Sequence, residues 1–212
     1  MIYWFSMFWL WLFYTIFFPT RVIGKKNMNK GKCIWACNHI TNNDVFVVGT
    51  KHFCRFYALG KAELFKNKLV GWYLKKLGTI KVNRGTSDIQ AVKDCLKVLK
   101  EKQKPLMIFP TGTRESSPEE VQDLKNGVAM FALKTNSPII PMVIVRKPVI
   151  FRPNRLVIGE PIDVSCYAGQ KPTKELYDEI SKKVSQSMED MLNKYEYKSQ
   201  KRAKQKKLSK SN

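Results

Sequence analysis

Short apolar runs alternate with longer stretches of helical period along the middle of the chain. CIWAC (33–37), RFYAL (55–59), TIKV (79–82), LMIF (106–109), IIPMVIV (139–145) and RLVIG (155–159) have strand length and strand composition. Between them, Ile89, Val92, Leu96 and Leu99 fall on one helical stripe behind a Thr86-Ser87-Asp88 start. Leu176, Ile180, Val184, Met188 and Leu192 form a second stripe after Pro172-Thr173. This alternation predicts an α/β fold, a single domain with a mixed, partly parallel sheet covered by helices. No Gly/Ser or Pro-rich linker divides the 212 residues, a length that one core can serve.

The two ends depart from this pattern. Met1 to Phe18 carries no charge and contains Trp4, Trp9, Trp11 and five phenylalanines. As a helix it would measure about 27 Å, marginal for a hydrocarbon span of about 30 Å and ample for the interface, where Trp and Tyr concentrate. No basic residue precedes the apolar run and no small-residue cleavage site follows it, so a cleaved signal is not expected. Pro19 ends the run, and Arg21, Lys25, Lys26, Lys30 and Lys32 then favour the cytoplasmic face of the cell membrane for the remainder. Beyond Tyr197, KSQKRAKQKKLSKSN holds seven basic residues and no acidic one, the composition of a disordered tail that either solubilises the protein or holds anionic headgroups. The expected division is a hydrophobic membrane-anchor segment (1–24), a folded domain (25–197) and a basic tail (198–212).

A formal net charge of +21 points to anionic partners: membrane lipid, nucleic acid, a phosphorylated metabolite or an acidic carrier protein. Nucleic acid is not expected, because the densest basic run has no interleaved aromatic residues. The five cysteines, Cys33, Cys37, Cys54, Cys95 and Cys166, show no CxxC spacing and fit a reducing compartment. Cys33, Cys37, His39, His52 and Cys54 cluster along the sequence, but Cys33 and Cys37 lie in an apolar run and read as small buried hydrophobes. No metal site is therefore predicted.

Three of the predicted strands are followed at once by chemically capable residues. His39 comes after CIWAC, Arg84 after TIKV, and Arg114 closes PTGTR after LMIF. Ligands in open α/β sheets bind beyond the carboxyl ends of strands, so three strands running the same way would gather these groups at one edge. His39 with Asp44 makes a general-base pair possible. Five residues of helix turn through about 500°, which puts the two on different faces, so His39 belongs in the turn before a helix, with Thr41 or Asn42 as its cap and Asp44 in its first turn. The arginines offer planar forks suited to phosphate, and Pro110 and Gly112 turn the chain sharply between them. His52 has no such partner and reads as a surface or packing residue. Without a G-x-S-x-G elbow, a P-loop or an H-E-x-x-H motif, direct transfer onto a substrate hydroxyl is expected rather than a covalent intermediate.

Four segments, N38-H-I-T-N-N-D44, G78-T-I-K-V-N-R84, F109-P-T-G-T-R114 and S137-P-I-I-P141, resemble in order the four motifs of the glycerolipid acyltransferase family, and most closely those of its 1-acylglycerol-3-phosphate acyltransferases. The resemblance spans roughly residues 33 to 160. It implies that His39 is the general base on a free glycerol hydroxyl and that Asp44 orients and charges it. Arg84 with Thr111, Gly112, Thr113 and Arg114 would bind the acceptor phosphate. No bound cofactor is implied; acyl-coenzyme A or acyl carrier protein would bring the acyl group as co-substrate. Lys61 and Glu63, in LGKAELF, would flank a donor channel or lie in a solvated turn. The implied partners are membrane lipids, namely lysophosphatidic acid and anionic phospholipids, and the implied product is phosphatidic acid. Two alternatives stand beside it: another lysophospholipid or glycerol 3-phosphate as acceptor, or a catalytically silent membrane-binding protein. The chain departs from the family at Thr111, where a glutamate is usual, although Glu115 follows Arg114.

Overall fold

A strand apolar on both faces belongs in the middle of a sheet, and the most continuous apolar runs lie there. The structure is a computed structural model that describes residues 1–83, 88–111 and 126–196. Its strands are β1 (Thr20–Ile23), β2 (Ile34–Cys37), β3 (Tyr57–Lys61), β4 (Thr79–Val82), β5 (Leu106–Ile108), β6 (Ile139–Ile144) and β7 (Asn154–Ile158). Its helices are α1 (Ile2–Phe17), α2 (Asp44–Gly49), α3 (Lys68–Lys76), α4 (Ile89–Lys97), α5 (Gly127–Thr135) and α6 (Lys174–Tyr195). The strands form one sheet in the order β1-β7-β6-β2-β5-β3-β4. β6, β2, β5, β3 and β4 run parallel, β7 pairs antiparallel with β6, and β1 pairs parallel with β7. The predicted mixed, largely parallel sheet is therefore observed.

Alternation within the central strands feeds two cores. Ile34, Ala36, Leu106, Ile108, Ile139 and Val143 meet α4, α5 and α6 on one face. Trp35, Cys37, Met107, Ile140, Met142 and Ile144 meet α1 and α2 on the other. Helix α6 buries Leu176, Ile180, Val184, Met188 and Met191, with Leu192 at the margin of that core, and Thr173 caps it by accepting from the Leu176 amide. Asp88 caps α4 through the Ala91 amide at 3.0 Å. On α4 the buried residues are Ala91 and Cys95, continued by Val98 and Leu99 where the last turn widens to a π-helix. Ile89 is 67% exposed, because it stands one residue past the cap and points off the sheet.

Three further expectations shift. RFYAL begins its ladder at Tyr57 rather than Arg55, because the Phe56 amide donates to the Tyr3 hydroxyl instead of to a strand. Thr20–Ile23, placed by the sequence in the 1–24 anchor segment, pairs with β7 as an edge strand. Helix α1 has 16 residues, about 24 Å at 1.5 Å per residue. No described helix is long and apolar enough to cross a membrane. Instead α1 lies against the sheet with Tyr3, Met7 and Tyr14 buried, and the Tyr3 hydroxyl donates to the Cys54 carbonyl at 2.8 Å.

Candidate active site

Because β2, β4 and β5 are all parallel, the described residues directly after them, Asn38, Asn83 and Phe109, lie at one sheet edge. The assumption of common strand direction is thus met. The turn after β2 is fixed first. Asn38 is buried and continues the β-ladder with its side chain, donating to the Ile144 carbonyl at 3.1 Å and accepting from the Ile144 amide at 2.8 Å. This pair of hydrogen bonds ties the turn to β6 and sets where His39 can stand.

His39 and Asp44 come together in this turn. His39 Nδ1 lies 3.1 Å from Asp44 Oδ2, with the carboxylate fully buried and the imidazole 12% exposed. Asp44 Oδ2 also accepts from the Ile40 and Thr41 amides at 2.6 Å each, and Oδ1 accepts from the Thr41 hydroxyl at 2.7 Å. A buried charge with this many donors is compensated and held rigidly. Asp44 opens α2, as expected of a first-turn residue. The cap is not Thr41 or Asn42 but Asn43, whose side chain makes no capping bond; the Thr41 hydroxyl is already engaged, accepting from the Asn43 amide while donating to Asp44.

Two aromatic residues complete the surroundings. Phe109, just beyond β5, stacks on the His39 ring at 4.1 Å and 21° and so restricts its rotation. Tyr14 of α1 packs on Phe46 at 5.7 Å, and its hydroxyl is pushed up to about 12, first by burial and then by the negative charge of Asp44. Sequence reasoning gave no role to Asn38, Phe109 or Tyr14. A polar residue directly after an all-buried strand, and an aromatic one just past the neighbouring strand, were the available signals.

At the end of β4, the Asn83 amide and side chain both donate to Asp88 Oδ2 at 2.9 Å. The Ala91 and Asn83 backbone donors hold the Asp88 carboxyl below the usual carboxylate range. Residues 83 and 88 are thereby clamped together, while Arg84 lies outside the described residues. Gly112, Thr113 and Arg114 lie outside them as well, and Thr111 is buried. Lys61 ends β3 and Glu63 follows in a short 3-10 turn; both are exposed at the same edge, two strands from β2 and so about 10 Å across the sheet. His52 is buried and packs on Trp35 at 5.8 Å. Cys33, Cys37, Cys54 and Cys95 are buried thiols, and no three His, Cys, Asp or Glu side chains gather into a metal site among the described residues.

A histidine oriented by a buried carboxylate, on a sheet edge where ligands bind, can carry proton transfer for a hydroxyl nucleophile. The sequence profile of the Acyltransferase family matches residues 19–145. The chain belongs to the acyltransferase family. This acyltransferase is 31% identical over 182 residues to the 1-acyl-sn-glycerol-3-phosphate acyltransferase of Bacillus subtilis, covering 82% of this chain and 88% of that one. It is 28% identical over 127 residues to the lyso-ornithine lipid O-acyltransferase of Pseudomonas aeruginosa, covering 60% of this chain and 47% of that one. The crystal structure of the 1-acyl-sn-glycerophosphate acyltransferase from Thermotoga maritima superposes with a TM-score of 0.64 at 24% identity, over 91% of this acyltransferase and 76% of that chain. That structure has the same fold.

Proposed function

We propose that this acyltransferase moves a fatty acyl group from a thioester to the free hydroxyl of a 1-acylglycerol 3-phosphate, forming phosphatidic acid. The His39–Asp44 pair at the parallel sheet edge is the observation that carries this reading. With Nδ1 turned to Asp44, Nε2 of His39 takes the hydroxyl proton as the acceptor oxygen attacks the thioester carbonyl. The tetrahedral adduct then collapses, the carbon–sulfur bond breaks, and the proton passes from His39 to the departing thiolate. Asp44 keeps the imidazole in the required tautomer and balances its positive charge, and Phe109 keeps the ring in plane. Arg84 and Arg114, with Thr111, Gly112 and Thr113, hold the acceptor phosphate, and Lys61 and Glu63 flank the donor. The donor is acyl-coenzyme A or acyl carrier protein. The outward face of α1, with Trp4, Phe5, Phe8, Trp9, Phe13 and Ile16 exposed, lies in the interface of the cytoplasmic leaflet of the cell membrane.

The Pseudomonas relative favours a second reading in which the same chemistry serves another lyso-lipid. Both are tested by offering each thioester donor separately with lysophosphatidic acid, monoacylglycerol or lyso-ornithine lipid. Charge-assisted contacts worth about 1.5–3 kcal/mol make the phosphate-bearing acceptor faster by roughly 10- to 100-fold than monoacylglycerol. Equal rates on both would refute phosphate recognition, and turnover confined to lyso-ornithine lipid would establish the second reading. No turnover with any pair would leave a lipid-binding protein.

A further inference from the structure

The connection between β6 and β7 leaves the same sheet edge as His39, because β6 is parallel to β2. It exposes three consecutive apolar residues: Val149 is 44% exposed, Ile150 55% and Phe151 66%. Such a run costs solubility unless something covers it. The turn is nevertheless tightly held. The Arg152 amide donates to the Val149 carbonyl at 3.1 Å, the Arg146 guanidinium donates to the Pro153 carbonyl, and the Asn154 side chain donates to the Arg146 carbonyl at 2.7 Å. Phe151 has φ +58°, a left-handed conformation that costs a bulky residue of order 1–3 kcal/mol. It is kept there by α1: its amide donates to the Phe17 carbonyl at 2.7 Å, and the two rings lie 5.4 Å apart.

Phe17 in turn packs on Phe13 with the ring centroids 4.7 Å apart, so the tip continues the outward apolar face of α1. Exposed Lys147 and Arg152 flank the tip, and exposed Arg21 follows α1. An apolar centre with a cationic rim is complementary to a bilayer containing anionic lipid. We infer that the Val149–Ile150–Phe151 tip is a second membrane-inserting wedge, locked to α1 and aimed so that the sheet edge bearing His39 faces the lipid surface. The acceptor then reaches the histidine from the leaflet without crossing bulk water. The inference rests on the lipid-acceptor reading above and adds the tip to it as an orienting element.

The test is the double variant Ile150→Ser with Phe151→Asn, since asparagine takes the left-handed conformation readily. Sedimentation with vesicles of phosphatidylcholine mixed with phosphatidylglycerol should show an affinity lower by about tenfold or more, from the lost apolar burial. Turnover of vesicle-embedded lysophosphatidic acid should fall in step, while turnover of a short-chain acceptor dissolved as monomers stays at the wild-type level. Leu69→Ser, at a residue 79% exposed on α3, should change neither. Lys147→Glu with Arg152→Glu leaves the apolar tip intact and should remove the preference for anionic vesicles over pure phosphatidylcholine. Unchanged vesicle affinity in the tip variant would overturn the wedge, as would a tip substitution that only alters self-association in sedimentation velocity. Reduced vesicle affinity in the variant, together with no acyl transfer by wild-type protein, would support the wedge while refuting the transfer reading.

Discussion

At the scale of single residues, the two histidines have opposite fates for physical reasons. His39 has a buried carboxylate at 3.1 Å, whereas His52 has an Nε2 with no hydrogen-bond partner among the described residues. Burial, and then the charges of Lys30 and Lys25, push His52 down to about 4 from 6.5. Above 6.5 both folded and unfolded forms carry a neutral His52, and it makes no difference to stability. Between 6.5 and about 4 the unfolded chain binds a proton that the folded one refuses, so stability falls as pH is lowered, by at most about 3 kcal/mol. His52→Leu should lose less stability than wild type over that window in urea titrations; identical losses would show that His52 does not titrate differently on folding. The distinction between the two histidines is legible in sequence, because only His39 is followed by a carboxylate at a turn-compatible distance. Phe109 and Asn38 are not, since stacking and ladder extension depend on which strand lies alongside.

At the scale of elements, local turn chemistry decides the outcomes that periodicity leaves open. The Thr41 hydroxyl is spent on Asp44, so α2 starts without a side-chain cap, and the same commitment is what immobilises the carboxylate. Helix α1 shows the limit of reading hydrophobicity alone. Its composition suits lipid on every side, yet Tyr3, Met7 and Tyr14 are buried in the protein, and only tertiary contact could reveal that. The Tyr3 hydroxyl both donates to the Cys54 carbonyl and accepts from the Phe56 amide, fastening α1 to the start of β3. Removing it in Tyr3→Phe leaves a buried backbone pair unsatisfied and should cost about 1–3 kcal/mol in chemical denaturation. A change below a few tenths would mean that α1 is not docked in solution as it is here.

For the whole molecule, the strand–helix alternation was enough to foresee an α/β sheet, and the common direction of β2, β4 and β5 was the assumption that the post-strand motifs required. Strand order was not legible: that β5 inserts between β2 and β3 and brings Phe109 onto His39 follows from long-range pairing and packing, with no local signal in the sequence. Nor was β1, whose four residues sit among basic and apolar neighbours and acquire strand character only by pairing with β7. The sheet edge that results carries the His39–Asp44 pair, the clamp at Asn83–Asp88 and the end of α1, so the proposed chemistry and the proposed lipid contact fall on one side of the protein. The measurement that bears most directly on this arrangement is the turnover number of His39→Ala at saturating thioester and lysophosphatidic acid, with folding and vesicle binding checked in the same preparation. A loss of roughly a hundred- to ten-thousandfold with fold and vesicle binding intact is the expected result; a turnover number within a few-fold of wild type would contradict His39 as the base.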